Sequence, residues 1–135
     1  TLTPDQARSL YMVHFYHPLK IYELGAGLGA ALLDTGVNVG RARAVRLLQQ
    51  GFRAIDVDLA VDGILGPLTL GACELLDDQL VIQQLLLQRM FYYTLLCDRQ
   101  PELKRFLFGW ANRVQKLARF TRKIQEASVW RCGHE

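Results

Sequence analysis

The stretch "DQLVIQQLLLQRMFYYTLLC", residues 78 to 97, constrains the fold of this chain more than any other segment. Asp77 or Asp78 supplies a helix N-cap at its start. Apolar side chains then occupy nearly every side of the helix that would follow, among them Ile82, Leu85, Leu86, Met90, Tyr93 and Leu96. A helix that is apolar all round is typically buried. The segment therefore predicts a long helix running through the centre of a helical domain.

Helix signals recur along the rest of the chain. Thr3-Pro4-Asp5-Gln6 combines an N-cap, a Pro in the first helical position and a capping-box Gln, which predicts a helix to about Tyr16. His17-Pro18 ends it, because the residue before Pro disfavours helical backbone. The other expected elements are helices over 23–37, 41–52 and 67–75, a short element at Pro101, a last helix after a break at Gly109, and at most a small extended pairing over 55–64.

Length and composition predict a single domain. Half of the 135 residues are hydrophobic, which is enough to bury one sizeable core. With strand signals nearly absent, we predict an all-α fold: one compact domain over residues 1–135 with about six to seven helices.

Charge is distributed unevenly along the chain. Residues 1–102 carry eight Lys and Arg against eleven Asp and Glu, whereas residues 103–131 carry eight basic residues and Glu126 alone. The basic stripe consists of Lys104, Arg105, Arg113, Lys116, Arg119, Arg122, Lys123 and Arg131. Such a stripe favours a polyanion such as nucleic acid, anionic lipid or an acidic wall polymer, or is simply a solvated helix face. It has no interleaved aromatic residues or reader motif, so nucleic acid is not the expected partner.

Several classes of protein are not indicated by the sequence. Cys73, Cys97 and Cys132 show no metal-ligand spacing, so we expect no metal, no cofactor and no disulfide framework. Cys73 and Cys97 are expected to be small buried residues, and Cys132 a free thiol near the terminus. No apolar run is long enough to span a bilayer and no signal peptide is visible, which predicts a soluble protein.

Asp34 and Asn38 raise the question of a functional site. They stand in "LLDTGVNVG", one helical turn apart, so they share a helix face. Their polar atoms either line a cleft or cap the backbone around the Gly40 turn. The residues alone favour neither reading.

Several segments of the sequence, taken in order, resemble those of a known family. Four segments and a short pattern, in this order, resemble the phage-type muramidases of glycoside hydrolase family 108: "LTPDQARSLY…FYHPL", "LLDTGVNVGRARAVRLLQQ", "VDGILGPLTL", "R…FY" and "FGWANRV". Some relatives of these muramidases are called secretion activators. The resemblance implies a lysozyme-like fold whose downstream half is a peptidoglycan-binding part. It also implies that Asp34 and Asn38 help to line the groove for the glycan strand. If that groove is retained, we expect Tyr16 and Trp110 to add an aromatic platform for the sugar, because glycan sites combine a few polar groups with apolar faces.

The sequence departs from that family at its catalytic motif. The family's acid is a Glu in a Glu-Gly-Gly motif upstream of the segment that Leu2–Tyr16 resembles, and this sequence contains no such motif. Tyr16 and His17 also stand where relatives usually have Trp and Asp. These departures put hydrolysis and sugar stacking in question rather than the fold.

The carboxylates present do not form a catalytic pair. Glycoside hydrolysis uses two carboxyls roughly 5 to 9.5 Å apart. Glu23 and Asp34 would be about 16 Å apart on one continuous helix, given a rise of 1.5 Å per residue. Asp56, Asp58 and Asp62 cluster near a turn and are interpreted as loop carboxylates. We therefore predict no catalytic residue in this chain.

The resemblance, together with the missing Glu motif, implies a peptidoglycan-directed protein of bacterial or phage origin that acts at the cell wall or in the periplasm. Its partner would be the glycan strand, bound or hydrolysed in the manner of a muramidase, here without the catalytic acid. The alternative is a non-enzymatic interaction module in wall binding or secretion. The oligomeric state is not indicated.

Overall fold

Helices make up most of the chain. The structure, a computed structural model, describes the backbone of residues 1–134 and the side chains of residues 1–127. Its α-helices are α1 (Pro4–Tyr11), α2 (Ala26–Val39), α3 (Arg41–Ala54), α4 (Pro67–Leu75), α5 (Asp78–Arg99) and α6 (Lys104–His134). A π-helical turn, Met12–Tyr16, extends α1, and 3-10 turns lie at Ile21–Glu23 and Pro101–Leu103. Residues 1–134 contain six α-helices and no strand, so the all-α prediction is confirmed.

Two helix starts follow the predicted capping chemistry. The Gln6 backbone N–H donates to Thr3 Oγ1 at 3.1 Å, and the Thr3 N–H donates to Gln6 Oε1 at 3.0 Å, which completes a capping box. At the start of α5, Asp77 Oδ2 accepts from the Leu80 N–H at 3.2 Å. These local bonds satisfy N–H groups that have no partner within the helix.

α5 is the central helix, packed against α2, α3 and α6. Its buried residues are Val81, Ile82, Leu85, Leu86, Arg89, Tyr93 and Cys97. The predicted central position is confirmed, but the expected burial on all sides is wrong. Leu87, Phe91 and Leu95 lie four residues apart on one face and are 46%, 51% and 55% exposed. The three helices packed around α5 do not cover this face, so it is exposed to solvent.

α6 packs its predicted inner stripe onto α2 and α5. Val114 and Thr121 are buried, Trp110 and Leu117 are half-buried, and the basic residues Arg105, Lys116, Arg119, Arg122 and Lys123 are exposed. The expected break at Gly109 is wrong, because α6 continues through it. A single Gly inside a helix costs only about 1 kcal/mol relative to Ala, less than the packing of the helix contributes.

Two further local predictions are wrong. The helix expected over 23–37 begins only at Ala26, because Gly25 has extended backbone and Glu23 belongs to a separate 3-10 turn. Glu23 and Asp34 therefore do not share one continuous helix. The extended pairing expected over 55–64 does not form, and the end of this loop is instead held by the side chain of Gln49, which is 1% exposed.

Cys73 and Cys97 are buried and not in a disulfide, as expected. Burial raises the pKa of the Cys73 thiol to about 12, so this side chain is an uncharged core group at neutral pH. Cys132 and Arg131 lie outside the residues whose side chains are described. No helix in the described part of the chain has the length and apolar composition to cross a membrane.

Candidate functional site

Asp34 and Asn38 lie at the centre of a polar cluster that joins three helices. Arg89 Nη1 on α5 donates to Asp34 Oδ2 at 2.8 Å, and Arg113 Nη2 on α6 donates to Asp34 Oδ1 at 2.7 Å. Tyr93 on α5 donates its hydroxyl to Asn38 Oδ1 and accepts from Arg89 Nε at 2.8 Å. We call Asp34, Asn38, Arg89, Tyr93 and Arg113 the Asp34 cluster. The cluster joins two neighbouring side chains of α2 to side chains of α5 and α6 that lie more than fifty positions later in the chain.

The two arginines differ in their exposure. The Arg89 side chain is 0% exposed, that of Asp34 is 24% exposed and that of Arg113 is 52% exposed. Arg89 Nη1 also donates to Thr35 Oγ1 at 3.2 Å. Asp34 is therefore anchored from the core by one guanidinium and covered from the solvent side by another.

This arrangement fixes the charge of Asp34. Partial burial acts to raise its pKa, but hydrogen bonds from Arg113 and Arg89, together with their positive charges, hold the pKa of the carboxyl below its ordinary value. Asp34 is therefore a carboxylate at neutral pH. As a carboxylate it accepts the hydrogen bonds from both arginines.

Asp34 and Asn38 do not cap the backbone around the Gly40 turn, which was one of the two roles considered for them. α2 ends at Val39, and the N–H of the following Gly40 donates to the Gly36 carbonyl. The side-chain hydrogen bonds of Asp34 and Asn38 are made with Arg89, Arg113 and Tyr93. Both side chains are committed to the Asp34 cluster instead.

Trp110 extends the cluster with an aromatic surface. Its ring stacks on that of Tyr93 with centroids 4.8 Å apart and an interplanar angle of 23°, and Phe106 stacks on Trp110 at 5.9 Å. Tyr93 is 2% exposed, whereas Trp110 is half-buried and Phe106 is 43% exposed. The structure thus brings three of the four predicted binding residues, Asp34, Asn38 and Trp110, into one connected group.

Tyr16, the fourth predicted residue, belongs to a different group. Among the described side chains, its ring contacts are with His17 at 5.5 Å and Tyr22 at 6.3 Å. Tyr11 on α1 senses the charges of the cluster. Burial raises the pKa of Tyr11, and the charge of Asp34 raises it further while that of Arg113 opposes the shift.

Three residues of the site were not expected there from the sequence: Arg89, Tyr93 and Arg113. One available signal was Arg89, a charged residue in the strongly apolar segment that was predicted to be the core helix. A buried charge requires a counter-charge, and Asp34 is a carboxylate in the other apolar helix. The signal for Arg113 is weaker, because exposed arginines are common.

The remaining carboxylates lie elsewhere. Asp62 accepts from the Ile64 N–H and from Gln49 Nε2, both at 2.9 Å, and these bonds lower its pKa, which supports its interpretation as a loop residue. Glu23 lines a cavity of about 500 Å³ together with Glu74 and Asp78. Within the described residues, no group of three His, Cys, Asp or Glu side chains is placed to hold a metal ion.

The comparisons with known proteins agree with this architecture. The solved "Structure of Brucella abortus SagA" matches with a TM-score of 0.78 and 27% sequence identity, covering 92% of this chain. The chain spans 66% of the length of that SagA chain. A search of curated proteins gave no match.

A family profile matches the segment that contains most of the described site. The family described as "Predicted Peptidoglycan domain" matches residues 43–115, which is more than half of the 135 residues. The matched range includes Arg89, Tyr93, Trp110 and Arg113 and ends before most of the basic stripe. The relation to peptidoglycan inferred from the sequence is therefore confirmed at this level, and the chain belongs to the predicted peptidoglycan domain family.

Proposed function

We propose that this chain binds the glycan strand of peptidoglycan at the Asp34 cluster and Trp110. The observation that carries the proposal is the fixed, partly exposed Asp34 carboxylate beside Asn38 and the Trp110 stack. The family assignment supports peptidoglycan as the partner, and the structural similarity to SagA extends over nearly the whole chain.

The chemistry of the cluster suits a sugar. Glycan sites combine a few oriented polar groups with an apolar face. Asp34 is a hydrogen-bond acceptor that two arginines keep ionised, and one of them, Arg113, is a hydrogen-bond donor on the solvent side. Because Tyr93 occupies Oδ1 of Asn38, the amide of Asn38 presents its N–H groups to a ligand. Trp110 and Phe106 provide the apolar face.

The same geometry favours binding over hydrolysis for these 135 residues. A muramidase of the type the sequence resembles requires a general acid and a second carboxyl. Asp34 is held ionised, and its partners among the described residues are arginines rather than another carboxyl. We infer that the Asp34 cluster orients the glycan. A muramidase-type domain needs such substrate positioning in addition to its catalytic acid.

Binding is tested with insoluble peptidoglycan in a sedimentation assay and, by NMR titration, with the neutral oligosaccharide tetra-N-acetylchitotetraose, called chitotetraose below. Asn38→Ala is expected to weaken both interactions about five- to tenfold, because it removes hydrogen bonds to the sugar. Asn112→Ala makes the same change at an exposed position of α6 that lines a separate groove with Phe108 and Val114 and makes no hydrogen bond to the cluster, so this matched control should bind like the wild type.

A second outcome of this assay would contradict the proposal. If binding disappears at high salt and is lost only when Arg119, Arg122 and Lys123 are changed to Glu, the attraction is a screened effect of the basic stripe. Binding at the Asp34 cluster should persist at high salt and should be insensitive to that triple change.

The second prediction concerns activity. The 135-residue chain is expected not to cleave purified peptidoglycan above background, since loss of a general acid commonly lowers a rate by about two to four orders of magnitude. Release of dye from labelled cell wall is the measurement, with a complete muramidase as the positive control. Release at a rate comparable with that control would show that a carboxyl of this chain acts as the acid.

A further inference from the structure

A second polar concavity lies where α2 ends and α3 begins. It has a volume of about 560 Å³ and is closed on one side by the turn at Gly63–Leu65. Its charged lining consists of Arg41, Arg43 and Arg46, and no Asp or Glu is among its lining residues. We call this cavity the arginine pocket.

The arginines of the pocket are held differently. Arg43 is fixed, because its Nη1 donates to Tyr92 Oη at 2.7 Å and its guanidinium lies 4.7 Å from the centre of the Tyr92 ring. Arg41 and Arg46 are exposed and form no ion pair with any side chain in residues 1–127. Two guanidinium groups are therefore available to an anion, beside a third whose position is set by an aromatic ring.

Asp62 directly precedes the lining residue Gly63 in the chain, and it does not neutralise the pocket. The charge of Arg46 contributes to the lowered pKa of Asp62, so the two groups sense one another. The Asp62 carboxylate, however, is bonded to the Ile64 N–H and to Gln49 Nε2. The pocket lining therefore carries three positive charges, and the Asp62 carboxylate beside it is already engaged in other hydrogen bonds.

The arginine pocket adjoins the Asp34 cluster. Val39 and Gly40, which line the pocket, directly follow Asn38 of the cluster in the chain. Tyr92, which holds Arg43, lies with its ring centre 5.9 Å from that of Tyr93. A ligand at the cluster therefore lies beside the pocket.

Peptidoglycan has chemistry that matches this neighbourhood. Its glycan is neutral apart from short peptides attached through the lactyl group of the muramic sugar, and these peptides carry free carboxylates. Guanidinium groups bind carboxylates through paired, charge-assisted hydrogen bonds. We propose that the arginine pocket binds a carboxylate of the peptidoglycan peptide while the Asp34 cluster contacts the glycan. This inference rests on the proposed function and assigns the peptide-bearing part of the same ligand to a second subsite.

The test uses NMR titrations of ¹⁵N-labelled protein at constant ionic strength with three probes. Muramyl dipeptide carries a muramic sugar and a peptide carboxylate, chitotetraose is a neutral glycan, and inorganic phosphate is a small anion. The amide signals of Gly40 and Gly63 report on the pocket, and the indole N–H of Trp110 reports on the cluster. Muramyl dipeptide should shift both sets, and chitotetraose should shift only Trp110.

Paired variants distinguish a site from general attraction. Arg41→Gln/Arg46→Gln is expected to weaken muramyl dipeptide binding at least tenfold without changing thermal stability, because both side chains are exposed. Arg53→Gln/Arg119→Gln removes the same charge from exposed positions outside the pocket and should bind within about twofold of the wild type.

Three results would overturn the inference: muramyl dipeptide shifting only Trp110, the Arg41/Arg46 variant binding like the wild type, or phosphate saturating the pocket at concentrations equal to or below those of muramyl dipeptide. The first leaves the proposed glycan binding intact. A shift of the pocket signals alone, with Trp110 unaffected by either sugar, would support the pocket and contradict the proposed function.

Discussion

Asp34→Ala is expected to lower the free energy of unfolding by about 3 kcal/mol, the lower end of the range for removing one member of a buried ion pair. The reason lies in Arg89, which is 0% exposed and has Asp34 as its ion-pair partner among the described side chains. Without the carboxylate, a buried guanidinium loses its counter-charge. Urea denaturation at neutral pH, followed by circular dichroism, measures the change.

Two control variants separate burial from charge. Arg113→Gln removes the exposed partner of the same carboxylate and should cost about 0–1 kcal/mol, as exposed ion pairs do. Asp34→Leu/Arg89→Met replaces the buried pair with apolar side chains and should recover most of the stability lost in Asp34→Ala. If Asp34→Ala unfolds at the wild-type urea concentration, the ion pair contributes no stability and this account is wrong.

The pH dependence provides an independent check on the same pair. The folded-state pKa of Asp34 is lowered, so its stabilising contribution is fully present above its unfolded pKa of about 3.9. That contribution is lost as the pH falls through the lower folded pKa. The difference in stability between wild type and Asp34→Asn should therefore be larger at pH 7 than at pH 3.

The expected instability affects how the binding site is tested. Asp34 is both a proposed ligand contact and a structural counter-ion, so loss of binding in Asp34→Ala does not distinguish a lost contact from a disturbed fold. Asn38 is exposed and takes part in the cluster through a single side-chain hydrogen bond. Asn38→Ala is for that reason the variant chosen to probe the glycan.

Features set by neighbouring residues were predictable from the sequence. The capping box at Thr3 and the predicted limits of α4 match the structure, because caps, Pro positions and helical spacing act within a few residues. The central position of α5 also followed from its composition. Its uncovered face did not, because apolar content does not show how many neighbours a helix has.

Features set by tertiary contacts were not predictable in the same way. The sequence placed Asp34 and Asn38 on one face but gave no way to decide between cleft lining and capping, because Arg89 and Arg113 meet Asp34 only after α2, α5 and α6 pack together. The choice of Tyr16 rested on resemblance, and the π-helical turn Met12–Tyr16 is a backbone irregularity that helical spacing does not encode.

The loop before α4 depends on one residue that the sequence analysis did not identify. Gln49 lies on α3 and makes five hydrogen bonds. Its Oε1 accepts from the backbone N–H groups of Asp62 and Gly63 at 3.0 and 2.9 Å. Its Nε2 donates to Asp62 Oδ1, the Ile64 carbonyl and Thr69 Oγ1 at 2.9, 3.1 and 3.2 Å.

Gln49→Leu is expected to lower the free energy of unfolding by about 2–4 kcal/mol. Leu fits the buried volume but satisfies none of the five bonds, and each buried polar group left without a partner costs about 1–3 kcal/mol unless water reaches it. Gln50→Leu makes the same chemical change at the exposed neighbouring position and should alter stability by less than about 0.5 kcal/mol. Urea denaturation gives both values.

Hydrogen exchange separates a loosened loop from a general loss of stability. In Gln49→Leu the amides of Asp62 and Gly63 should exchange faster by more than the global change in stability explains, since they lose their acceptor directly. The Leu80 amide, which is bonded to Asp77 at the start of α5, is the control. Its exchange rate should change only as much as the change in global stability explains. If the Asp62 and Gly63 amides keep their wild-type protection, the loop is held by its own turn geometry at Gly63, whose φ is +76°, and Gln49 is a passive core residue.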